Sequence, residues 1–208
     1  ISISNDTVYL SNGGFVVLPA NTGGGKTHLI LSGDITDAQA AVKIQNDLSS
    51  ITSYIWIINT TQLTSVDFTG QYVTELIELK IMNNQMLNSV SFPDITNAYE
   101  VLSVNFNTVL TALNLPVLAN TYGSLSIRSN AVLPTVNLPS LEHVFSCDVN
   151  LNDVLTSIEL PSLVEVGYDL FIQDNGLLTS FNSPLALTNP GYFVVSGSLP
   201  SSNINSFL

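Results

Sequence analysis

The sequence predicts a mainly β protein, a right-handed parallel β-solenoid whose coils are about 23 residues long. Three observations predict this fold class. A repeat runs through most of the chain, and each unit opens with two apolar positions that alternate as in a short, half-buried strand. The second half of each unit also lacks the periodicity of a helix. A leucine-rich-repeat horseshoe with helical backs would keep that periodicity, so the solenoid is favoured.

The repeat is read from six aligned units whose starts advance by 24, 23, 23, 22 and 23 residues. The units are IWIINTTQLTSVDFT from Ile55, LKIMNNQMLNSVSFPDI from Leu79, LSVNFNTVLTALNLPVL from Leu102, LSIRSNAVLPTVNLPSL from Leu125, CDVNLNDVLTSIELPSL from Cys147 and LFIQDNGLLTSFNSPL from Leu170. Alternation puts the two apolar residues of each opening on one side of a strand. These pairs should therefore stack into one parallel sheet: Leu79/Ile81, Leu102/Val104, Leu125/Ile127, Cys147/Val149 and Leu170/Ile172.

An asparagine stands three residues after the second apolar position in five units. These residues are Asn84, Asn107, Asn130, Asn152 and Asn175. An inward asparagine at the same corner of every coil can hydrogen-bond both its own turn and the next one, where a tight bend leaves backbone groups unpaired. The spacing therefore predicts a structural asparagine ladder.

Two further apolar columns and a proline column complete the unit. The first apolar column is Leu63, Leu87, Leu110, Leu133, Leu155 and Leu178, and the second is Val66, Val90, Leu113, Val136, Ile158 and Phe181. The prolines are Pro93, Pro116, Pro139, Pro161 and Pro184. The apolar columns predict a second inner wall, and proline, with its fixed φ and missing N–H, predicts a corner after it.

The repeat resembles those of a known group of surface proteins. LSIRSNAVLPTVNLPSL and VEVGYDLFIQDNGLLTSF are similar to the repeats of receptor L-domains, of cell-wall organisation glycoproteins of fungi and of bacterial surface proteins with the same leucine-rich-repeat-like unit. The resemblance covers roughly residues 29–185. It implies a β-solenoid displayed at a cell surface and specifies no ligand, because one fold hosts many functions.

Both ends depart from the repeat, as the terminal coils of a solenoid must. Residues 1–28 are predicted to form a hairpin and a glycine-rich junction, because VYLSNGGFVVLP places Asn-Gly between two β-forming runs. Residues 29–185 are predicted to form the repeats, with a capping helix over 36–50. Asp34 or Thr36 can serve as its N-cap, and Ala38, Ala41, Val42, Ile44 and Leu48 lie on or near one face. Residues 186–208 are predicted to be the C-terminal cap.

The composition excludes several classes of partner. Four Lys and Arg against sixteen Asp and Glu give a net charge of -12, which should repel nucleic acid and anionic lipid. No apolar run approaches the ~20 residues of a membrane span, so direct membrane insertion is not expected. Because the chain opens on Ile, it is expected to be a mature or excised fragment. The excess of acidic residues fits an extracellular or cell-surface protein.

One glycine-rich stretch matches the loose form of the nucleotide-binding P-loop. It is ANTGGGKT, from Ala20 to Thr27. A phosphate cradle needs a helix that starts directly behind the Lys-Thr pair, whereas HLILSGD follows here and has the pattern of a strand. We therefore interpret the stretch as a loop that joins the hairpin to the first coil.

Candidate catalytic and metal-binding residues are sparse. Glycan-cleaving solenoids need clustered carboxylates or a poised base, and only Asp148, Asp169 and Asp174 could approach one another. His28 and His143 have no partner at metal-ligand spacing, and Cys147 occupies an inward strand position. The prediction is no enzyme and no cofactor. Calcium is the one ion that the oxygen-rich corners allow.

The outward column of the strands is the candidate ligand-binding face. It contains Trp56, Lys80, Ser103, Ser126, Asp148 and Phe171. Exposed aromatic residues on a flat sheet are typical of glycan or protein contacts. The sequence therefore predicts a non-enzymatic recognition or adhesion module that binds a glycan, matrix component or surface protein. The alternatives are an ice-binding protein and, third, a polysaccharide-degrading enzyme.

Overall fold

A computed structural model of the chain describes residues 2–4, 7–9, 15–17, 26–184 and 191–196. It confirms the predicted fold class: parallel sheets form a β-solenoid of about 7 turns with coils of about 23 residues. The elements are β1 (Ser2–Ser4), β2 (Thr7–Tyr9), β3 (Phe15–Val17), β4 (His28–Gly33), α1 (Asp37–Asp47), β5 (Tyr54–Thr60), β6 (Ser65–Asp67), β7 (Glu75–Met82), β8 (Ser89–Ser91), β9 (Asn97–Asn105), β10 (Ala112–Asn114), β11 (Asn120–Arg128), β12 (Thr135–Asn137), β13 (His143–Asn150), β14 (Ser157–Glu159), β15 (Glu165–Val166), β16 (Asp169–Gln173), β17 (Ser180–Asn182) and β18 (Tyr192–Val195).

The large wall of the solenoid is one parallel sheet. Its strands follow the order β18, β16, β13, β11, β9, β7, β5 and β4, and β15 pairs with β13 at one end. Each coil adds one strand to this sheet, and the two apolar residues that open each unit point inward and are buried from Leu29 and Leu31 to Leu170 and Ile172. The alternation in the sequence therefore predicted the inner face of this wall.

The opposite wall is interrupted between β10 and β12. It consists of two three-stranded parallel sheets, β6–β8–β10 and β12–β14–β17. Just before each short strand, a backbone N–H normally bonds to the coil behind, as Thr111 N does to the Asn88 carbonyl at 2.8 Å. Pro134 occupies this place ahead of β12 and has no N–H to donate to the coil of β10. The missing donor explains why the sheet divides there.

The second wall also carries an inward column that the sequence analysis did not include. Its members are buried, and all but the first directly precede a proline corner: Phe68, Phe92, Leu115, Leu138 and Leu160. The first two rings stack with their centroids 4.2 Å apart. Of the predicted column at the centre of this wall, Leu113 alone is half-buried, and it lies in β10, beside the break.

The helix α1 covers the first coil. Thr36 is its N-cap: Gln39 N donates to Thr36 Oγ1, while Thr36 N donates to Gln39 Oε1 at 3.0 Å, a capping box. The helix contacts β4 and β6, the edge strands of the two walls. With 11 residues, it is too short and too polar to span a membrane, and the described part of the chain has no other helix.

The buried face of α1 differs from the predicted one. Ala40, Ile44 and Leu48 are buried and pack on the core, whereas Ala38, Ala41 and Val42 are exposed. The buried residues are four apart and form one narrow stripe, and the other three lie on its flanks. Of the predicted face, Ile44 and Leu48 are therefore right and the remaining three are wrong.

The ends of the chain are described in part. At the N-terminus β1, β2 and β3 form an antiparallel sheet, and β2 pairs with β3 as the predicted hairpin requires. Its Asn-Gly turn and the three junction glycines lie outside the described residues. At the C-terminus, β18 adds a strand to β16, and the rest of the predicted cap over 186–208 falls mostly outside them.

Candidate functional site

The six residues of the predicted ligand-binding face form a single row on the outside of the large sheet. Strand pairing places neighbouring members directly opposite one another, one per coil. In order along the solenoid they are Trp56, Lys80, Ser103, Ser126, Asp148 and Phe171. The row is thus a continuous feature of the fold, with an aromatic residue at each end and polar residues between them.

The Trp56 end of the row is held by ionic and aromatic contacts. Trp56 Nε1 donates to Glu78 Oε2 at 3.1 Å, and Lys80 Nζ lies 2.7 Å from the same oxygen. Lys80 Nζ also lies 5.0 Å from the centre of the Trp56 ring, within cation–π range. His28 stacks on Tyr54 at 4.3 Å and meets the indole edge-on. The indole is therefore fixed in position and remains partly exposed.

The two serines in the middle of the row are joined through Asn105. This residue follows Ser103 by two positions, on the same face, and its Nδ2 donates to Ser103 Oγ at 2.7 Å. Ser126 Oγ donates to Asn105 Oδ1 at 3.2 Å. Ser103 and Asn105 are only 5% and 8% exposed, so Ser126 presents most of the polar surface here.

Asp148 occupies the next place in the row and is bound on two sides. Asn150 Nδ2 donates to Asp148 Oδ1 at 2.7 Å, and Arg128 Nη1 lies 3.5 Å from Oδ2. Arg128 Nε also donates to Asn150 Oδ1 at 2.8 Å. Burial raises the pKa of Asp148, and the Arg128 charge offsets this in part. The centre of the face is therefore a connected set of donors and acceptors with fixed geometry.

The residues considered for catalysis do not form a cluster. Asp148 lies opposite Phe171 in the sheet, Asp169 accepts a hydrogen bond from Tyr192 N at 3.0 Å, and Asp174 lies in the turn after β16. No contact between these three carboxylates occurs in the described residues. The three occupy separate places on the coil.

The two histidines and the cysteine that were considered as metal ligands or reactive groups lie in environments typical of structural residues. His28 Nδ1 lies 2.8 Å from Thr27 Oγ1, and His143 Nδ1 lies 3.1 Å from Glu165 Oε2. Cys147 is fully buried, and burial, together with the nearby Asp148 charge, raises the pKa of its thiol to about 12. Within the described ranges, no three His, Cys, Asp or Glu side chains lie close enough together to hold a metal ion.

Lys26 of the P-loop-like stretch is committed to the capping helix. Its Nζ lies 2.8 Å from Asp47 Oδ1, its N–H donates to the Asp47 carbonyl, and its carbonyl accepts from Thr52 Oγ1 at 2.7 Å. The strand β4 begins one residue after Thr27, where a phosphate cradle would need a helix. The expected strand is confirmed.

A second surface feature lies at the start of the long strands, and the sequence analysis missed it. Tyr99, Tyr122, Phe145 and Tyr168 are 23 residues apart, and 43%, 55%, 50% and 53% of their surfaces are exposed. Their rings pair off: Tyr99 stacks on Tyr122 at 5.4 Å, and Phe145 on Tyr168 at 5.8 Å. The regular spacing could have revealed this column, which we call the aromatic column.

A depression of about 360 Å³ opens where the aromatic column is interrupted. Its lining includes Tyr122, Phe145, His143, Glu165, Asn120 and Thr121. Tyr122 and Phe145 are neighbours in the column, but no ring contact joins them among the contacts of the described residues. Each of these two rings therefore stacks on its other neighbour and borders the depression on this side.

The geometry of the coils places the chain in the class of β-solenoid proteins. Comparison with protein families, with curated proteins and with solved structures found no match. The function is therefore proposed from the row between Trp56 and Phe171 and from the aromatic column.

Proposed function

We propose that the chain is a non-enzymatic recognition or adhesion module that binds its ligand through the exposed face of the large sheet. The proposed ligand is a glycan, with a matrix component or surface protein as the wider class. The observation that carries the proposal is the in-register row from Trp56 to Phe171, in which linked polar groups lie between two aromatic side chains.

The polar centre of the row suits a ligand rich in hydroxyl groups. Ser126, Arg128 and Asp148 offer both donors and acceptors, and bonds to one another and to the buried Asn105 hold them in place before a ligand arrives. Such preorganisation reduces the entropy that binding must overcome. Neighbouring members of the row lie ~4.8 Å apart along the solenoid, so an extended glycan chain can contact several coils in succession.

The aromatic ends supply apolar contact area with little conformational freedom to lose. Trp56 is held by Glu78 and Lys80, so its ring is already oriented. Aromatic rings pack against the C–H faces of sugar rings and are enriched among residues that dominate binding.

Two features of the whole chain support a location outside the cell. The net charge of -12 fits an exported acidic protein, and the repeats are similar to those of receptor L-domains and related surface proteins. The extracellular or cell-surface location and the membership of that group are parts of the proposal.

A glycan array probed with the labelled chain tests the proposal, followed by titration of any ligand found. Trp56→Ala and Phe171→Ala should each weaken binding by at least about tenfold, the equivalent of about 1.4 kcal/mol. Tyr72→Ala is the matched control, because Tyr72 is 82% exposed and lies in the loop between β6 and β7. A blank array, or equal losses for all three variants, would contradict glycan binding at this face.

Ice binding is the second candidate, favoured by the adjacent serines of the row. It has less support, because Lys80 and Asp148 interrupt the small polar residues and Ser103 is almost buried. Thermal hysteresis of the purified chain would establish it in place of glycan recognition. A polysaccharide-degrading activity is third, and release of products from a polysaccharide panel would revive it.

A further inference from the structure

We propose that the depression between Tyr122 and Phe145 binds a quaternary ammonium group, at a site separate from the sheet-face row. The two rings would flank the cation, and Glu165 would supply opposite charge at the rim. This site does not depend on the proposed glycan recognition, because none of its lining residues belongs to the row from Trp56 to Phe171.

The depression is built by a change in strand register. Between two paired positions, β11 has two residues, Tyr122 and Gly123, where β13 has only Phe145. The preceding strand β9, like β11, has two residues between the same paired positions. The register between β9 and β11 is therefore unbroken, and the rings of Tyr99 and Tyr122 stack. A bulge redirects side chains. The step at β13 therefore interrupts the column and leaves the hollow.

Neighbouring contacts hold both flanking rings in place. Phe145 is supported by Tyr168 on its other side, and a side chain on Gly167 would approach the Phe145 ring to 3.1 Å. Tyr122 is supported by Tyr99, whose hydroxyl donates to Glu75 Oε2 at 3.1 Å. The two walls of the hollow are thus braced by stacking before any ligand binds.

The electrostatics favour a cation in the hollow. The faces of aromatic rings carry partial negative charge, and two such faces attract a cation placed between them. Among the described residues, Glu165 is the only carboxylate that lines the hollow, and neither Lys nor Arg lines it. All four Lys and Arg side chains of the protein are ion-paired elsewhere. No basic group therefore competes for this site, apart from His143, whose Nδ1 lies 3.1 Å from Glu165 Oε2.

The polar groups of the hollow favour a methylated cation over a bare ammonium ion. Asn120 Nδ2 already donates to Asn97 Oδ1 at 2.8 Å, and Glu165 already contacts His143. The one buried lining group without a partner among the described residues is a single hydroxyl, that of Thr121. A bare ammonium ion is compact and strongly hydrated, so it would lose water without gaining enough acceptors. A trimethylammonium group needs no acceptor, and its methyl groups pack against the rings.

Titration with choline and with its neutral isostere 3,3-dimethylbutan-1-ol tests the charge directly. The two molecules have the same shape, so the difference between them isolates the cation. Choline should bind about tenfold more tightly than the alcohol, as expected for a partly desolvated cation–π site. Equal affinities, or no saturable choline binding up to tens of millimolar, would overturn the proposal.

Variants locate the site. Tyr122→Leu and Phe145→Leu keep an apolar side chain but remove the ring, and each should weaken choline binding by about fivefold or more. Glu165→Gln should also weaken it. Tyr72→Leu is the control and should bind like the natural chain. Thermal unfolding checks that the variants fold. Unchanged choline affinity in both ring variants would place the cation elsewhere.

Two further arms identify the source of the cation and keep the two proposals apart. A trimethyllysine peptide that binds more tightly than choline would indicate a methylated protein, and weaker binding would indicate a small molecule. Phe145→Leu should leave any binding at the glycan face unchanged, whereas Trp56→Ala should leave choline binding unchanged. Failure of either site can therefore be recognised separately.

Discussion

The side-chain amide of Asn84 donates a 2.9 Å hydrogen bond to the side-chain oxygen of Asn107. Asn107 Nδ2 donates an equivalent bond to Asn130 Oδ1 at 3.1 Å, and it also donates to the Ile81 carbonyl at 2.8 Å. These residues are fully buried. The four asparagines from Asn84 to Asn152 each link three consecutive coils in this way.

Asn107→Ala is expected to lower the free energy of unfolding by about 3 kcal/mol or more. The change removes the acceptor of Asn84 N and Asn84 Nδ2 and the side-chain donor to the Ile81 carbonyl, whereas Asn130 Oδ1 keeps its bond from the backbone N–H of residue 107. Each buried group left unsatisfied costs about 1–3 kcal/mol. Chemical unfolding followed by circular dichroism measures the loss. Asn114→Ala, at an exposed residue bonded only to Ser91 in this way, should cost under about 1 kcal/mol. Similar losses at both positions would argue against a structural ladder.

Phe106→Asn is expected to stabilise the protein by about 0.5–1 kcal/mol. Phe106 has a φ of 58°, in the left-handed region that is costly for most side chains and tolerated by asparagine. Asn83 has a φ of 56° at the corresponding place one coil earlier. Phe106→Ala keeps the strained backbone and should bring no such gain. A larger gain for alanine in thermal unfolding would show that the exposed ring, not the backbone, is the cost.

Thr121→Val and Thr60→Val should change stability in opposite directions. Thr121 Oγ1 is buried and has no hydrogen-bond partner among the described residues, so valine should stabilise by about 1 kcal/mol. Thr60 Oγ1 donates to Asn84 Oδ1 at 2.8 Å, so valine there should destabilise by about 1–2 kcal/mol. Both changes keep the shape and remove one hydroxyl. Midpoints of urea unfolding that move in the same direction would refute this reasoning.

Gly123→Ala is expected to destabilise the chain by more than about 2 kcal/mol and to disturb the aromatic column. A Cβ at this position would overlap the backbone carbonyl of Glu100 in the preceding coil. Gly176→Ala is the control, because a Cβ there meets nothing within 4 Å and the matching residue two coils earlier is Ala131. The near-ultraviolet signal of the tyrosines reports the disturbance, and a normal spectrum with normal stability would contradict the expected clash.

Asp47→Asn should destabilise the protein at neutral pH and much less in acid. Burial raises the pKa of Asp47, but hydrogen bonds and charges from Lys26 and Lys43 outweigh it and hold the pKa below its ordinary value of 3.8. A lowered folded-state pKa stabilises above the unfolded value, and this contribution disappears as pH falls through the folded value. Because Lys26 is largely exposed, the loss at pH 7 should be about 1 kcal/mol.

Unfolding at pH 7 and at pH 2–3 checks this pH dependence. The difference between the natural chain and Asp47→Asn should shrink in acid. Asp153→Asn, at an exposed turn residue, should change little at either pH. A difference of the same size at both pH values would exclude the ion pairs as its source.

Much of the fold followed from the repeat, because a period of about 23 residues and strict alternation leave few ways to bury the same columns. The row from Trp56 to Phe171 could be predicted because parallel strands in register place equivalent residues side by side. The buried face of α1 was predicted less well. Its alanines have little preference for either face, so the choice between Ala38 and Ala40 depends on packing.

The sequence by itself determined the coils, their corner asparagines and the residues that share the outer row, since all of these repeat along the chain. The tertiary structure alone decided where register changes between coils. It placed the break of the second wall at Pro134 and separated the rings of Tyr122 and Phe145. The physical reason is that a bulge depends on the pairing of two strands from different coils. A repeat that is shorter than its neighbour does not show where in the strand the register shifts.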